Sequence, residues 1–174
     1  MEKATTFKAV FFDLGGTLRI ALLEEPYMRH ARRKLAEIAG TELPYEEFYQ
    51  LVEERYAPYR DWALGENKES GDEELWCKWL LPDYDQARIR QVCHELSFQY
   101  RQSKGRRVVV DGGAEVIRTL HQRGYKLGII SNLIGENEVP DWLEEDGLDQ
   151  YFDCVVLSSV CHLRKPCGEI YDLA

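Results

Sequence analysis

Lys8-Ala9-Val10-Phe11-Phe12-Asp13-Leu14-Gly15-Gly16-Thr17-Leu18 is the stretch on which the fold turns. Ala9 to Phe12 are apolar without a break, which reads as a buried strand. Asp13 ends the run, and Gly15-Gly16 turn the chain sharply. From Leu22 to Arg101 the pattern changes. Apolar residues recur every three or four positions with charged residues between them, predicting helices over Glu24–Ala39, Tyr45–Leu64, Asp72–Leu81 and Asp85–Arg101. Gly40, Pro44, Gly65, Gly71 and Pro82 punctuate the block. In its last helix Ile89, Val92, Cys93, Leu96 and Tyr100 share one face, and Trp62, Trp76 and Trp79 are expected to anchor the core. A segment this long is too large to be a loop.

Beyond Gln102-Ser103-Lys104-Gly105 the pattern becomes mixed. Ala114–Arg123 reads as a helix, Lys126–Ile130 as a strand and Glu138–Asp146 as a helix. Cys154–Ser158 follows as a strand, and Glu169–Ala174 begins another helix. Strands alternating with helices call for parallel pairing. The expectation is therefore an α/β protein with a doubly wound parallel sheet, formed by residues 1–20 and 104–174 and interrupted by a helical unit over residues 21–103.

Charge narrows the functions available. The formal net charge is −9, which argues against broad, charge-driven nucleic-acid binding. The local basic run Arg32-Arg33-Lys34 reads as a solvated helix face. No stretch approaches the roughly 18–20 apolar residues of a membrane span. Met1 to Ala9 lacks the basic-then-apolar layout of a secretory signal. The five cysteines (Cys77, Cys93, Cys154, Cys161 and Cys167) are odd in number and contain no CxxC pair. They read as isolated thiols in a reducing, cytoplasmic setting rather than as a disulfide framework.

Ligands of open α/β sheets bind beyond the carboxyl ends of the strands. Three such ends carry polar groups here: Asp13 and Thr17 around two glycines, Ser131-Asn132, and Arg164-Lys165-Pro166. A carboxylate can attack phosphorus and form an acyl-phosphate. Hydroxyls, backbone amides and a cation can hold the charge of a phosphoryl group in transfer. Each piece also has a plain alternative. Asp13 to Gly16 alone reads as a turn, Ser131-Asn132 as a strand exit, and Lys165 as a surface lysine. Their shared position at one end of successive strands is what suggests chemistry.

At these residues the chain resembles the haloacid dehalogenase superfamily. Phe11-Phe12-Asp13-Leu14-Gly15-Gly16-Thr17-Leu18 is similar to its first motif, hhhhDxDGT with h apolar. Lys126-Leu127-Gly128-Ile129-Ile130-Ser131-Asn132 is similar to the second, and Arg164-Lys165-Pro166 with Ile170-Tyr171 to the third. The resemblance implies a Rossmann-like core with a helical-bundle cap between the first and second motifs. It also implies magnesium-dependent hydrolysis of a small phosphorylated metabolite. Asp13 would then be the nucleophile and a magnesium ligand, with Gly15 giving the metal its carbonyl. Thr17 would position the turn, Ser131 would bind a phosphoryl oxygen, and Lys165 would steady both partners. Gly16 and Asn132 would line the substrate site.

Two departures from the family pattern matter. Gly15 stands where phosphatases of the family carry a second aspartate, the group that protonates the leaving oxygen and activates water. The family's fourth motif, an acidic Gly-Asp segment, and the last strands of the core would follow Ala174 and are not in this sequence. These departures keep two other readings open: a catalytically weakened binding or regulatory protein, and a metal-independent haloacid dehalogenase.

Overall fold

The computed structural model describes residues 7–174; the part of the expected core at residues 1–6 lies outside the described residues. β1 (Ala9–Phe12) pairs in parallel with β4 (Lys126–Ser131), and β4 with β5 (Cys154–Leu157), in the order β1-β4-β5. In-register neighbours of a parallel pair share a face. The pairings Val10↔Leu127, Phe12↔Ile129 and Ser131↔Leu157 therefore put Val10, Phe12, Leu127, Ile129 and Leu157 on one side. There they pack with Ile117 of α5 (Gly113–Gln122) and with Val139, Trp142 and Leu143 of α6 (Glu138–Glu145). β1 differs from the expected buried strand: Phe11, on the other side, is 45% exposed. β1 pairs with β4 alone among the described strands, and its second face has only partial cover. The Phe11 ring lies across Gly128, where a Cβ would meet it at 2.5 Å.

Between β1 and β4 the chain first forms a ribbon that the hydrophobic pattern did not reveal. β2 (Arg19–Leu22) and β3 (Arg106–Val109) pair antiparallel, Arg19 opposite Val109 and Ala21 opposite Arg107. The helical block springs from this ribbon. α1 (Glu25–Ala39), α2 (Tyr45–Glu66), α3 (Asp72–Glu74) and α4 (Gln86–Gln102) follow the predicted helices closely. The third predicted helix needs correction, because α3 passes at once into a π-helical turn over Leu75–Leu80. The backbone bond Leu81 N–H to Trp76 O marks this wider winding. Leu75, Trp76, Leu80 and Leu81 are all fully buried there.

The block has its own core. Leu35, Phe48, Val52, Tyr59, Trp76, Ile89, Leu96 and Tyr100 form one cluster, with Trp62, Trp79 and Val92 packed against it. The Trp62 and Trp79 rings lie 5.1 Å apart. Arg32 is not on a solvated face as expected: its guanidinium covers the Tyr49 ring at 4.7 Å. α7 (Ser158–Cys161) and α8 (Gly168–Asp172) follow β5. Among the described residues no helix is long and apolar enough to cross a membrane, and the five cysteines are unpaired.

Candidate active site

The carboxyl ends of β1 and β4 lie side by side because Phe12 pairs with Ile129. This register brings Asp13, one residue past β1, beside Ser131 at the end of β4. The Ser131 hydroxyl donates to Asp13 Oδ1 at 3.3 Å, and Lys165 Nζ donates to the same oxygen at 2.8 Å. Lys165 Nζ also donates to the Ile130 carbonyl at 2.7 Å, which fixes the ammonium at the strand end. Asp13 Oδ2 has no protein donor among the described residues, and the side chain is 43% exposed against 22% for Lys165. One carboxylate oxygen is thus held by a cation and a hydroxyl while the other faces outward.

The turn after Asp13 is built by the backbone. The Thr17, Leu18 and Arg19 amides all donate to the Leu14 carbonyl, and the Gly16 amide donates to Arg19 O at 2.9 Å. Gly16 has φ +76°, which favours glycine there. Thr17 is exposed and contributes its amide to this turn. Gly15 has ordinary φ and open space where a Cβ would stand. Asn132 uses its side chain on the lysine loop: Nδ2 donates to Lys165 O at 2.9 Å, and Oδ1 accepts from Lys165 N at 2.8 Å. It holds Lys165 in place as well as lining a recess beside Gly15 and Ser131.

The structure adds residues that sequence reasoning missed. Glu69, in the loop after α2, is 2% exposed and pairs with Arg164, the neighbour of Lys165. It also accepts from Tyr59 and from Ser158 Oγ at 3.1 Å. Burial pushes its carboxyl up, against the pull of Tyr59, Arg164 and Ser158. Backbone contacts run alongside, Glu69 N to His162 O and Arg164 N to Asn67 O. The helical block therefore grips the segment that carries the lysine. A second clasp joins Asp72, His94 and Glu136, whose side-chain atoms lie within 4.8 Å of one another. Three of its four carboxylate oxygens meet protein donors: Asp72 accepts from Ser97 Oγ and Glu136 N, and Glu136 Oε1 accepts from Asp72 N. No sequence motif marks either clasp.

A parallel α/β core, a helical insertion after its first strand, and a carboxylate flanked by a hydroxyl and an ammonium define an α/β enzyme scaffold of the hydrolase kind. The chain belongs to the haloacid dehalogenase-like hydrolases, whose family model matches residues 7–174. No curated protein matches it. Among solved structures it is similar to a HAD phosphatase from Thermococcus onnurineus, with 26% identity and a TM-score of 0.54, over 97% of this chain and 70% of that one. It is similar to CbbY from Rhodobacter sphaeroides in complex with phosphate, with 19% identity and a TM-score of 0.55, over 97% and 71%. It is also similar to the HAD hydrolase YfnB from Bacillus subtilis bound to magnesium, with 21% identity and a TM-score of 0.53, over 95% and 70%. The chain thus spans about 70% of the length of these relatives.

Proposed function

We propose that this hydrolase is a magnesium-dependent phosphatase of a small phosphorylated metabolite, with Asp13 as the phosphoryl acceptor. The observation that carries the reading is the convergence of Ser131 Oγ and Lys165 Nζ on one oxygen of Asp13. The likeness to the Thermococcus phosphatase supports it. Asp13 attacks phosphorus, the bond from phosphorus to the leaving oxygen breaks, and Asp13 carries the phosphoryl group as a mixed anhydride. Ser131 and Lys165 meet the charge on the non-bridging oxygens. Water then attacks the phosphorus of this intermediate, the bond from phosphorus to the Asp13 oxygen breaks, and inorganic phosphate leaves as the water's proton passes to solvent. Gly15 offers no side chain to protonate the leaving oxygen, so that proton comes from solvent.

The residues present fit magnesium as far as they go. The outward Asp13 oxygen and the Gly15 carbonyl would hold it, with water filling a largely hydrated shell. Bound there, the ion would neutralise charge on the transferring group. We place the helical block as the cap that encloses the substrate. The net charge of −9 fits a partner that is a small molecule rather than a nucleic acid, and the unpaired thiols fit a cytoplasmic setting.

Release of inorganic phosphate from a panel of phosphate esters, with magnesium and with EDTA, tests this reading. Turnover that needs magnesium supports it. The space at Gly15 favours one rival, since attack on a carbon–halogen bond needs no acid at that position. Halide release from 2-chloropropionate without metal, and no phosphate release, would replace the phosphatase reading with that one.

A further inference from the structure

The recess beside Gly15, Ser131 and Asn132 is walled by Arg19, Arg101 and Arg107. We propose that it is an anion subsite, binding a second negatively charged group on the substrate, a carboxylate or a phosphate. The proposal rests on Asp13 being the phosphoryl acceptor, which sets where the first anion sits.

Its walls follow from the β2–β3 ribbon. Partners across an antiparallel pair share a face, and alternate residues return to it. The register Arg19↔Val109 and Ala21↔Arg107 therefore puts Arg19 and Arg107 on one face, diagonal to each other, with small Ala21 opposite Arg107. Arg106 falls on the opposite face and is paired with Glu24 at 2.9 Å. Arg101 arrives from the last turn of α4.

Charge accounting makes the site unusual. Three guanidiniums line the recess with one carboxylate, Glu138, and that carboxylate is taken by Arg101 and by Gln102 Nε2 at 3.1 Å. Arg19 has Asp146 only at 3.9 Å, lies 4.0 Å over the Trp142 ring and donates Nη2 to Arg107 O at 2.9 Å. The Nε groups of both Arg19 and Arg107 are buried without a partner among the described residues. Burial lowers the Arg107 guanidinium, and Arg101 and Arg19 push it further down against the pull of Glu138. Like charges gathered out of water are costly unless something answers them. A forked guanidinium is the donor that suits a carboxylate or phosphate.

The recess measures about 70 Å³, and its three guanidiniums suit a compact anionic group such as a carboxylate or a phosphate. Arg19, Arg107, Glu138 and Trp142 are shared with a wider cleft of about 490 Å³ lined also by residues of α1 and α4.

Calorimetric titration with three non-hydrolysable probes tests the subsite. Methylphosphonate carries one anionic group, phosphonoacetate adds a carboxylate, and methylenediphosphonate adds a second phosphonate. One of the two probes with a second anionic group should bind about tenfold or more tightly than methylphosphonate, the scale of one charge-assisted hydrogen bond. Arg107→Gln should erase that advantage and leave methylphosphonate affinity within about twofold. Arg107→Lys, which keeps the charge and loses the fork, should erase only part of it and stands in if the glutamine variant fails to fold by circular dichroism. A gain confined to phosphonoacetate identifies a carboxylate; one confined to methylenediphosphonate identifies a phosphate. No advantage in the wild type, or an advantage undiminished in the folded Arg107 variants, overturns the proposal. Should the wild type hydrolyse no phosphate ester while the Arg107-dependent advantage persists, the phosphatase reading falls and the anion subsite stands.

Discussion

In the proposed reaction Asp13 is the phosphoryl acceptor, and its surroundings sort the two oxygens of its carboxylate. Lys165 and Ser131 hold Oδ1, so the group is kept in one orientation with Oδ2 outward. Asp13→Asn keeps the shape and hydrogen-bonding reach but loses the nucleophilic charge. It should reduce phosphate release to background while the circular dichroism spectrum is unchanged. Near wild-type turnover would leave Asp13 as a turn residue. Gly15 offers the complementary experiment. A Cβ there meets nothing within 4 Å, and its backbone is not in the left-handed region, unlike Gly16 next to it. Gly15→Asp should therefore fold, and it would restore a carboxylate where leaving-group protonation and water activation take place. Steady-state turnover should rise, with about 10²–10⁴-fold as the range for general acid–base help. The wild type should favour aryl or acyl phosphates, whose leaving groups need little protonation, and should show a burst if dephosphorylation is slow. A folded Gly15→Asp protein with lower turnover, together with no burst in the wild type, would mean that the proton comes from another group.

At the scale of elements, helix ends and register position the residues. Asp85 caps α4, its side chain accepting from the Ala87 amide at 3.0 Å and the Arg88 amide at 3.4 Å. Asp85→Ala should cost about 1 kcal/mol in urea or thermal unfolding, with no change in which substrates are bound. The same helix delivers Arg101 from its last turn, so a frayed α4 end would loosen the recess before it unfolded the block. Helices of this kind were legible beforehand. Ile89, Cys93, Leu96 and Tyr100 repeat at helical spacing on a charged background, and all four are buried. β2 and β3 were not. Each is four residues long and gains its hydrogen bonds from a partner on the far side of the helical block, so neither displays the alternation that marks a strand on its own. The π-helical turn over Leu75–Leu80 was missed for a related reason. Its apolar residues fit a helical period, and only dense packing around Trp76 shows the wider winding.

For the whole molecule, Glu69 ties the helical block to the lysine loop. This carboxylate is buried against Arg164, Tyr59 and Ser158, two of which belong to the α/β part of the chain. Removing one partner of a buried pair leaves the other charge unanswered. Glu69→Ala should lower unfolding free energy by about 3–5 kcal/mol, measured by chemical denaturation. Because Arg164 adjoins Lys165, kcat should fall even where the variant remains folded. Full activity with unchanged stability would show that the cap and the lysine loop are independent.

Much of this was available from the order of residues alone. An apolar run stopped by Asp13, a second stopped by Ser131-Asn132, and Arg164-Lys165 after a third place carboxylate, hydroxyl and ammonium at the same end of parallel strands. Periodicity separates the helical block from the α/β segments for a simple reason: burial of one face writes itself into local spacing. What only the tertiary structure decided depends on pairs far apart in the chain. The Asn132 grip on the lysine backbone, the Glu69–Arg164 clasp and the meeting of Arg19 with Arg107 all join segments whose spacing carries no signal of contact. A lone arginine in a sequence reads as a surface charge. Strand register and the packing of α4 beside the ribbon are what turn three of them into a shared, partly buried recess that Glu138 alone lines as a carboxylate among the described residues.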